Sequence, residues 1–195
     1  MVAATAAVPS PASANFASAV NGFCHYSDVK ECYADSFRHN VDWDLGPKLG
    51  NATLDSLYNT YDTTELVISI SGSVNDGTHS ANVDVYYRNG PLASGEAITS
   101  CQTPVDSSNY CNHWHVIYYG DAISAIRDDP AFYKTYACHE TGHTVGLEHP
   151  IYDSHGRGIG DTFFGCMRDG SYLYPESPYL GAHGAAHINA FYYPF

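Results

Sequence analysis

The chain has 195 residues, of which 44% are hydrophobic and 15% charged, a composition that suits one globular domain with a sizeable core. Eight basic and 21 acidic side chains give a formal net charge of −13. Because such a surface repels phosphate groups, we expect no nucleic-acid partner and no anionic membrane as partner. No apolar run reaches the roughly 18 residues that a membrane-spanning helix needs.

The chain contains six cysteines and no C-x-x-C pair of the kind found in zinc ribbons and thioredoxins. An even number of cysteines in a chain poor in lysine predicts three disulfides, and therefore secretion into an oxidising, extracellular compartment. The first 14 residues lack a basic region and a continuous apolar core, so they do not predict an intact signal peptide. We expect residues 1–20 to be a flexible segment and residues 21–195 to be a single domain.

The predicted strands and helices are interleaved without a regular βαβ repeat. Runs rich in β-branched and aromatic residues predict strands over 36–43, 66–70, 83–87 and 113–119. Apolar residues at helical spacing predict a helix over 53–61, after a chain break at Gly46 and Pro47. Residues 90–110 predict a surface loop. The pattern indicates an α/β domain of the α+β type.

The clearest helix is predicted over 131–146. Asp129 provides an N-cap, Pro130 occupies the first helical position, and no breaker follows before Gly146. Beyond residue 150 the chain is rich in Gly, Pro, Asp and Ser, which predicts irregular structure followed by a short helix over 184–192. His183, just before that predicted helix, and His187 within it are spaced four residues apart and are expected to lie at the helix surface.

The helix over 131–146 contains the run H-E-x-x-H-x-x-G-x-x-H, from His139 to His149. His139 and His143 are four residues apart, so their rings lie on one helix face and can bind one metal ion. Gly146 can adopt the left-handed conformation that ends a helix, and the turn then brings His149 back to the metal. Three imidazoles with one open position are typical of catalytic zinc, with Glu140 placed to act as general base on a water.

This run resembles the zinc-binding signature of the metzincin metalloendopeptidases. Metzincins also have a methionine in a tight turn beneath the zinc, and Met167 follows His149 by 18 residues, between Gly165 and Gly170. The resemblance implies a twisted mixed sheet with an active-site helix (residues 21–149), above a small irregular C-terminal subdomain with one helix (150–195). It implies a secreted, monomeric, matrixin-like zinc endopeptidase of bacterial type, which acts on proteins or peptides.

The departures from the signature narrow the subfamily. Asp169 stands where astacins and serralysins have a tyrosine ligand, so that ligand is not carried over. No segment matches a defined calcium loop, so nothing supports Ca²⁺ as a second cofactor. Substrate is expected to pair, in an extended form, with strand 113–119 as the sheet edge. We expect the bridges Cys24–Cys32, Cys101–Cys111 and Cys138–Cys166, the last tying the zinc helix to the methionine turn.

Three other interpretations of the run are open, of which a different zinc hydrolase, such as a small amidase, is the weakest. The motif could belong to an ordinary surface helix, or the chain could be a catalytically weak zinc-holding module that recognises a protein partner. The added Gly146, His149 and Met167 argue against the first interpretation. Glu140 argues against the second, because a purely structural zinc site has no use for a base.

Overall fold

The computed structural model describes residues 33–34, 38–41, 45–64, 66, 68–71, 85–91, 97–101, 110–111, 114–118, 120, 123, 128–147, 164–168 and 177–191. Within these ranges the strands are β1 (Tyr33–Ala34), β2 (Arg38–Val41), β3 (Ser69–Ser71), β4 (Val85–Asn89), β5 (Ala97–Cys101), β6 (Tyr110–Cys111) and β7 (Trp114–Tyr118). The helices are α1 (Gly46–Ser56), α2 (Pro130–Thr144) and α3 (Ala182–Phe191). None of these helices is long and apolar enough to cross a membrane.

In the described part of the chain, five strands form a mixed sheet in the order β3-β2-β4-β7-β5. Strands β3, β2, β4 and β7 are mutually parallel, and β5 runs antiparallel to β7. Strands β1 and β6 form a separate parallel pair. Helices α1 and α2 pack against each other, and α2 also contacts β5 and β7. The helix that carries the histidine run therefore lies beside the antiparallel end of the sheet.

The edge strand is not the one that the sequence analysis predicted. Strand β7 lies between β4 and β5, so the run over 113–119 is internal to the sheet. Among the described strands the two edges are β3 and β5, and β5 falls inside the segment predicted as a surface loop over 90–110. Strand β5 has only two β-branched residues, Ile98 and Thr99, and they are flanked by Ser, Pro and Gly, so the sequence pattern did not predict a strand here.

Helix α1 begins earlier than predicted. Gly46 and Pro47 were expected to break the chain, but they form the first turn of α1, where proline's missing N–H is not needed. The predicted helix over 53–61 is the second half of this element, which continues as a π-helical segment over Leu57–Tyr61. That segment turns the buried Tyr61 towards α2.

Helix α2 begins and ends as the sequence predicts. The side chain of Asp129 accepts a hydrogen bond from the Phe132 N–H at 2.9 Å, and Pro130 follows it. At the other end Gly146 has φ +84°. The Gly146 N–H donates to His143 O at 3.2 Å and the Leu147 N–H donates to Gly142 O at 2.9 Å, which is the Schellman arrangement.

The expectation that His183 and His187 lie at a helix surface is wrong, and the burial of α2 argues against the interpretation of the histidine run as part of an ordinary surface helix. Every residue of α2 from Thr135 to Thr144 is buried, and so are His183 and His187 on α3. Burial, with His183 close by, lowers the pKa of His187 to about 4. Helix α3 packs through Ile188 into a small core that also contains Leu147 and Met167.

A short segment over 164–168 is held between α2 and α3. The Cys166 N–H donates to Tyr179 O at 2.9 Å, and Gly165 forms an isolated bridge with Leu180. Gly165 has φ +57°, and a Cβ there would collide with the backbone of residues 179–181. A side chain at position 165 is therefore excluded twice, by conformation and by space.

Cys138 of α2 and Cys166 form a disulfide with their Cα atoms 5.9 Å apart, which is the pairing proposed from the sequence. Cys101 is also disulfide-bonded. The side chain of Cys111, both Cys24 and Cys32, and residues 1–20 lie outside the described part of the chain. The Cys138–Cys166 bridge therefore covalently ties the histidine helix to the segment that carries Met167.

Removing the Cys138–Cys166 bridge should lower thermal stability markedly. The bridge closes a loop with a sequence separation of 28, which stabilises by roughly 3–4 kcal/mol in the chain-entropy model and corresponds to a Tm change of roughly 6–16 °C. The double variant Cys138→Ala, Cys166→Ala measures this change by calorimetry, with non-reducing peptide mapping of the parent protein as the control. A Tm within 2 °C of the parent, or mapping that finds either cysteine with another partner, would contradict it.

Candidate metal and catalytic site

Two histidine rings of α2 converge on one point. His139 and His143 are both buried, and their Nε2 atoms lie 3.3 Å apart, with the rings at an interplanar angle of 89°. The Nδ1 of His139 lies 2.7 Å from Cys166 O, and the Nδ1 of His143 lies 2.7 Å from Leu147 O. A carbonyl oxygen only accepts, so each Nδ1 carries the proton and each neutral ring directs its Nε2 lone pair to the shared point.

The separation of these two nitrogens suits two ligands of one metal ion. Zinc–nitrogen bonds of about 2.0–2.1 Å at the tetrahedral angle place two ligand nitrogens about 3.3–3.4 Å apart. Ring-orienting hydrogen bonds from the second nitrogen to a carbonyl are the usual support of metal-binding histidines. His139 and His143 therefore have the donor atoms, tautomers and spacing that a zinc ion requires.

Glu140 lies beside this pair and is buried. The Thr99 hydroxyl of β5 is 2.6 Å from Glu140 Oε2, to which it donates, and 3.1 Å from Glu140 O. Burial raises the pKa of Glu140 to about 7, and the hydrogen bond from Thr99 acts in the opposite direction. The side chain is thus held in one orientation and titrates in the range that suits a general base.

Two tyrosine hydroxyls contact the same turn of α2. The Tyr61 hydroxyl donates to Cys138 O at 2.6 Å, and the Tyr87 hydroxyl lies 3.1 Å from Thr141 Oγ1. Both rings are fully buried, and burial raises the pKa of Tyr61 and the pKa of Tyr87 well above the usual value. Each hydroxyl therefore keeps its proton at neutral pH.

Met167 packs against α2 at Gly142, the residue before His143. A Cβ built on Gly142 would collide with Met167 Sδ and would lie 3.0 Å from Tyr61 Oη. Met167 is itself buried, in the core that also contains the Cys138–Cys166 bridge and Ile188. Gly142 occupies one of the two variable positions inside H-E-x-x-H. Because glycine has no side chain, Met167 can pack against the helix at this position.

The third predicted ligand, His149, lies outside the described part of the chain. Within the described ranges, no group of three His, Cys, Asp or Glu side chains comes together at a distance suited to a metal. Glu140, His139, His143, Gly146 and Met167 are described, and all of them lie on or against the C-terminal half of α2.

Sequence reasoning missed the residues that orient the site. Thr99 lay inside a predicted loop, and Tyr61 was read only as one member of an apolar helix face. Neither residue has a local motif, because the partner of Thr99 lies 41 residues away in the chain and the partner of Tyr61 lies 77 residues away. A buried hydroxyl beside a polar helix could be found only once the strand order was known.

Comparison with known proteins gives no match to any family model, curated protein or solved structure. The resemblance to metzincins therefore stays at the level of the run from His139 to His149 and the methionine that follows it.

Replacing Gly142 with alanine should be destabilising because Met167 leaves no room for a methyl group. In an exposed helix the same change is favourable by about 1 kcal/mol, whereas overpacking costs about 1–3 kcal/mol. Gly50→Ala in α1 is the matched control, since a Cβ there meets nothing within 4 Å. Urea unfolding should give a loss of stability for Gly142→Ala and no loss for Gly50→Ala.

A double-mutant cycle shows whether Met167 causes this effect. Gly142→Ala should cost less in a Met167→Ala background than in the parent protein, because the colliding sulfur has gone. An equal cost in both backgrounds, or a Gly142→Ala protein as stable as Gly50→Ala, would rule out the close contact.

Proposed function

We propose that this protein is a secreted zinc-dependent endopeptidase with a metzincin-like catalytic domain. The observation that carries the proposal is the run from His139 to His149, in which the Nε2 atoms of His139 and His143 lie 3.3 Å apart. The proposed zinc ligands are His139, His143 and His149. The Cys138–Cys166 disulfide supports secretion, because such bridges persist mainly in oxidising compartments.

The residues present suit zinc better than they suit a hard cation. The ligand set consists of imidazoles, whereas Ca²⁺ and Mg²⁺ prefer oxygen ligands. When bound, zinc would supply Lewis acidity to a water molecule and to the carbonyl of the substrate. The Glu140 carboxylate would accept a proton from the attacking water and pass it to the leaving amine.

The orientation of Glu140 depends on β5. Thr99 donates to Glu140 Oε2, so Oε1 remains for the proton transfer. Among the described strands β5 is an edge, paired only with β7 on one side. An extended peptide can add to that open side as a further strand, and its scissile bond would then lie close to Glu140. Substrate binding and base orientation thus share one strand.

The binding-module alternative differs from this proposal in what Glu140 does. Glu140→Gln removes the base and keeps the size and the hydrogen-bonding capacity of the side chain. The variant should retain zinc and fold normally, and should lose peptide hydrolysis by about 10²–10⁴-fold, the usual contribution of a positioned base. Asp128→Asn, at an exposed ion pair with Lys48, is the matched control and should retain full activity.

The measurement is cleavage of an unfolded protein, read by mass spectrometry, together with metal analysis of each variant. Chelation should abolish the cleavage, and zinc should restore it. Active protein without a transition metal, or full activity in Glu140→Gln, would overturn the proposal. Zinc bound without any hydrolysis by the parent protein would favour the binding module.

Thr99 should act as a positioning residue for Glu140. Thr99→Val keeps the buried shape but removes the donor, whose loss costs about 1–3 kcal/mol and should lower kcat roughly 5- to 150-fold, with little change in KM. Thr99→Ser restores the hydroxyl and should restore kcat. If Thr99→Val and Thr99→Ser have the same kcat, the hydrogen bond has no role in orienting the base.

A further inference from the structure

Helix α3 carries a second pair of histidines with the same arrangement as the pair on α2. His183 and His187 are four residues apart, both are buried, and their Nε2 atoms lie 3.1 Å apart. Their ring centroids are separated by 4.4 Å at an interplanar angle of 78°, compared with 4.8 Å and 89° for His139 and His143. The same geometry thus occurs twice in the described part of the chain.

The 3.1 Å separation suits two ligands of one transition-metal ion. Metal–nitrogen bonds of about 2.0–2.1 Å place two ligand nitrogens about 2.9 Å apart at a right angle and about 3.4 Å apart at the tetrahedral angle. Imidazole nitrogens are ligands of Zn²⁺, Cu²⁺ and Ni²⁺. A hydrogen bond from one Nε2–H to the other Nε2 would give a similar distance, and the protonation of the two Nε2 atoms distinguishes that bond from a bound ion.

The surroundings hold the pair in place and leave a route to it. The ring of His183 stacks edge-to-face on the buried Phe164, with their centroids 5.1 Å apart. Ile188, the residue after His187, belongs to the small core, and Gly184, the residue after His183, lies close to Leu147 and Leu180. His183 and His187 keep 7% and 8% of their surface exposed, so the pair lies at the margin of the buried face, within reach of a small ion.

The net charge of −13 raises the local concentration of cations around the protein. We propose that His183 and His187 form a second site for a divalent transition-metal ion, of which Zn²⁺ is one, with water among the remaining ligands. This site is separate from the one proposed at His139, His143 and His149, and it does not depend on peptidase activity. A bound ion would join α3 across one turn and stabilise its packing against Phe164.

The test is the zinc content of the purified protein and of its variants, measured by mass spectrometry after equilibration with micromolar Zn²⁺. The parent should bind two ions per chain. His183→Gln and His187→Gln should each bind one ion and keep their peptidase activity, whereas His143→Gln should lose the other ion. His79→Gln, which has no histidine four residues away in the sequence, is the control and should bind two ions.

Thermal unfolding gives an independent readout. Excess Zn²⁺ should raise the Tm of the Glu140→Gln protein. Adding His183→Gln to this protein should remove part of that increase, and adding His187→Gln should remove the same part. If His187→Gln binds as much zinc as the parent and shows the same Tm increase, the second site does not exist. The proposed function would be unaffected by that result, since it depends on the loss of an ion in His143→Gln.

A measurement on the unmodified protein covers the case in which the variants fail to fold. In protein labelled with ¹⁵N on histidine, long-range ¹H–¹⁵N spectra report which ring nitrogens carry protons. Zn²⁺ should shift the Nε2 signals of His183 and His187 together with those of the first pair. Signals of His183 and His187 that show one protonated and one unprotonated Nε2, unchanged by Zn²⁺, would identify a plain hydrogen bond and overturn the proposal.

Discussion

Burying a polar helix is the constraint on which the site depends. Ten consecutive residues of α2, from Thr135 to Thr144, lie inside the protein, although most of them carry polar atoms. A buried polar group without a partner costs about 1–3 kcal/mol, so each one needs a partner within the fold. Thr135 and Thr141 bond back to carbonyls of their own helix, whereas Glu140 relies on Thr99 of the sheet.

The same constraint explains why the sheet, the π-helical segment and the methionine segment all meet at one turn of α2. Tyr61 arrives from the π-helical segment, Tyr87 from β4 and Thr99 from β5, and each hydroxyl reaches an atom between residues 138 and 141. Gly142 leaves the remaining space to Met167. A shift of any one element would leave a buried polar atom without a partner, which makes the turn rigid.

The parts of the fold that could be predicted are those with a local physical cause. The Asp129 cap, Pro130 and Gly146 fix both ends of α2 through backbone geometry that is readable in the sequence. Strand β7 was readable from its β-branched and aromatic residues. Its neighbours were not, because strand order depends on packing between segments far apart in the chain, and the edge was assigned to β7 instead of β5. The burial of His183 and His187 was missed for the same reason.

The two ring-orienting carbonyls differ in where they come from along the chain. Leu147, whose carbonyl orients His143, lies inside the eleven-residue run and is fixed by the helix end itself. Cys166, whose carbonyl orients His139, lies 27 residues away. If only the run were transplanted onto another helix, His143 would keep a defined tautomer and His139 would not. The smallest portable unit of this site is therefore the run together with residues 164–168 and the disulfide that holds them against it.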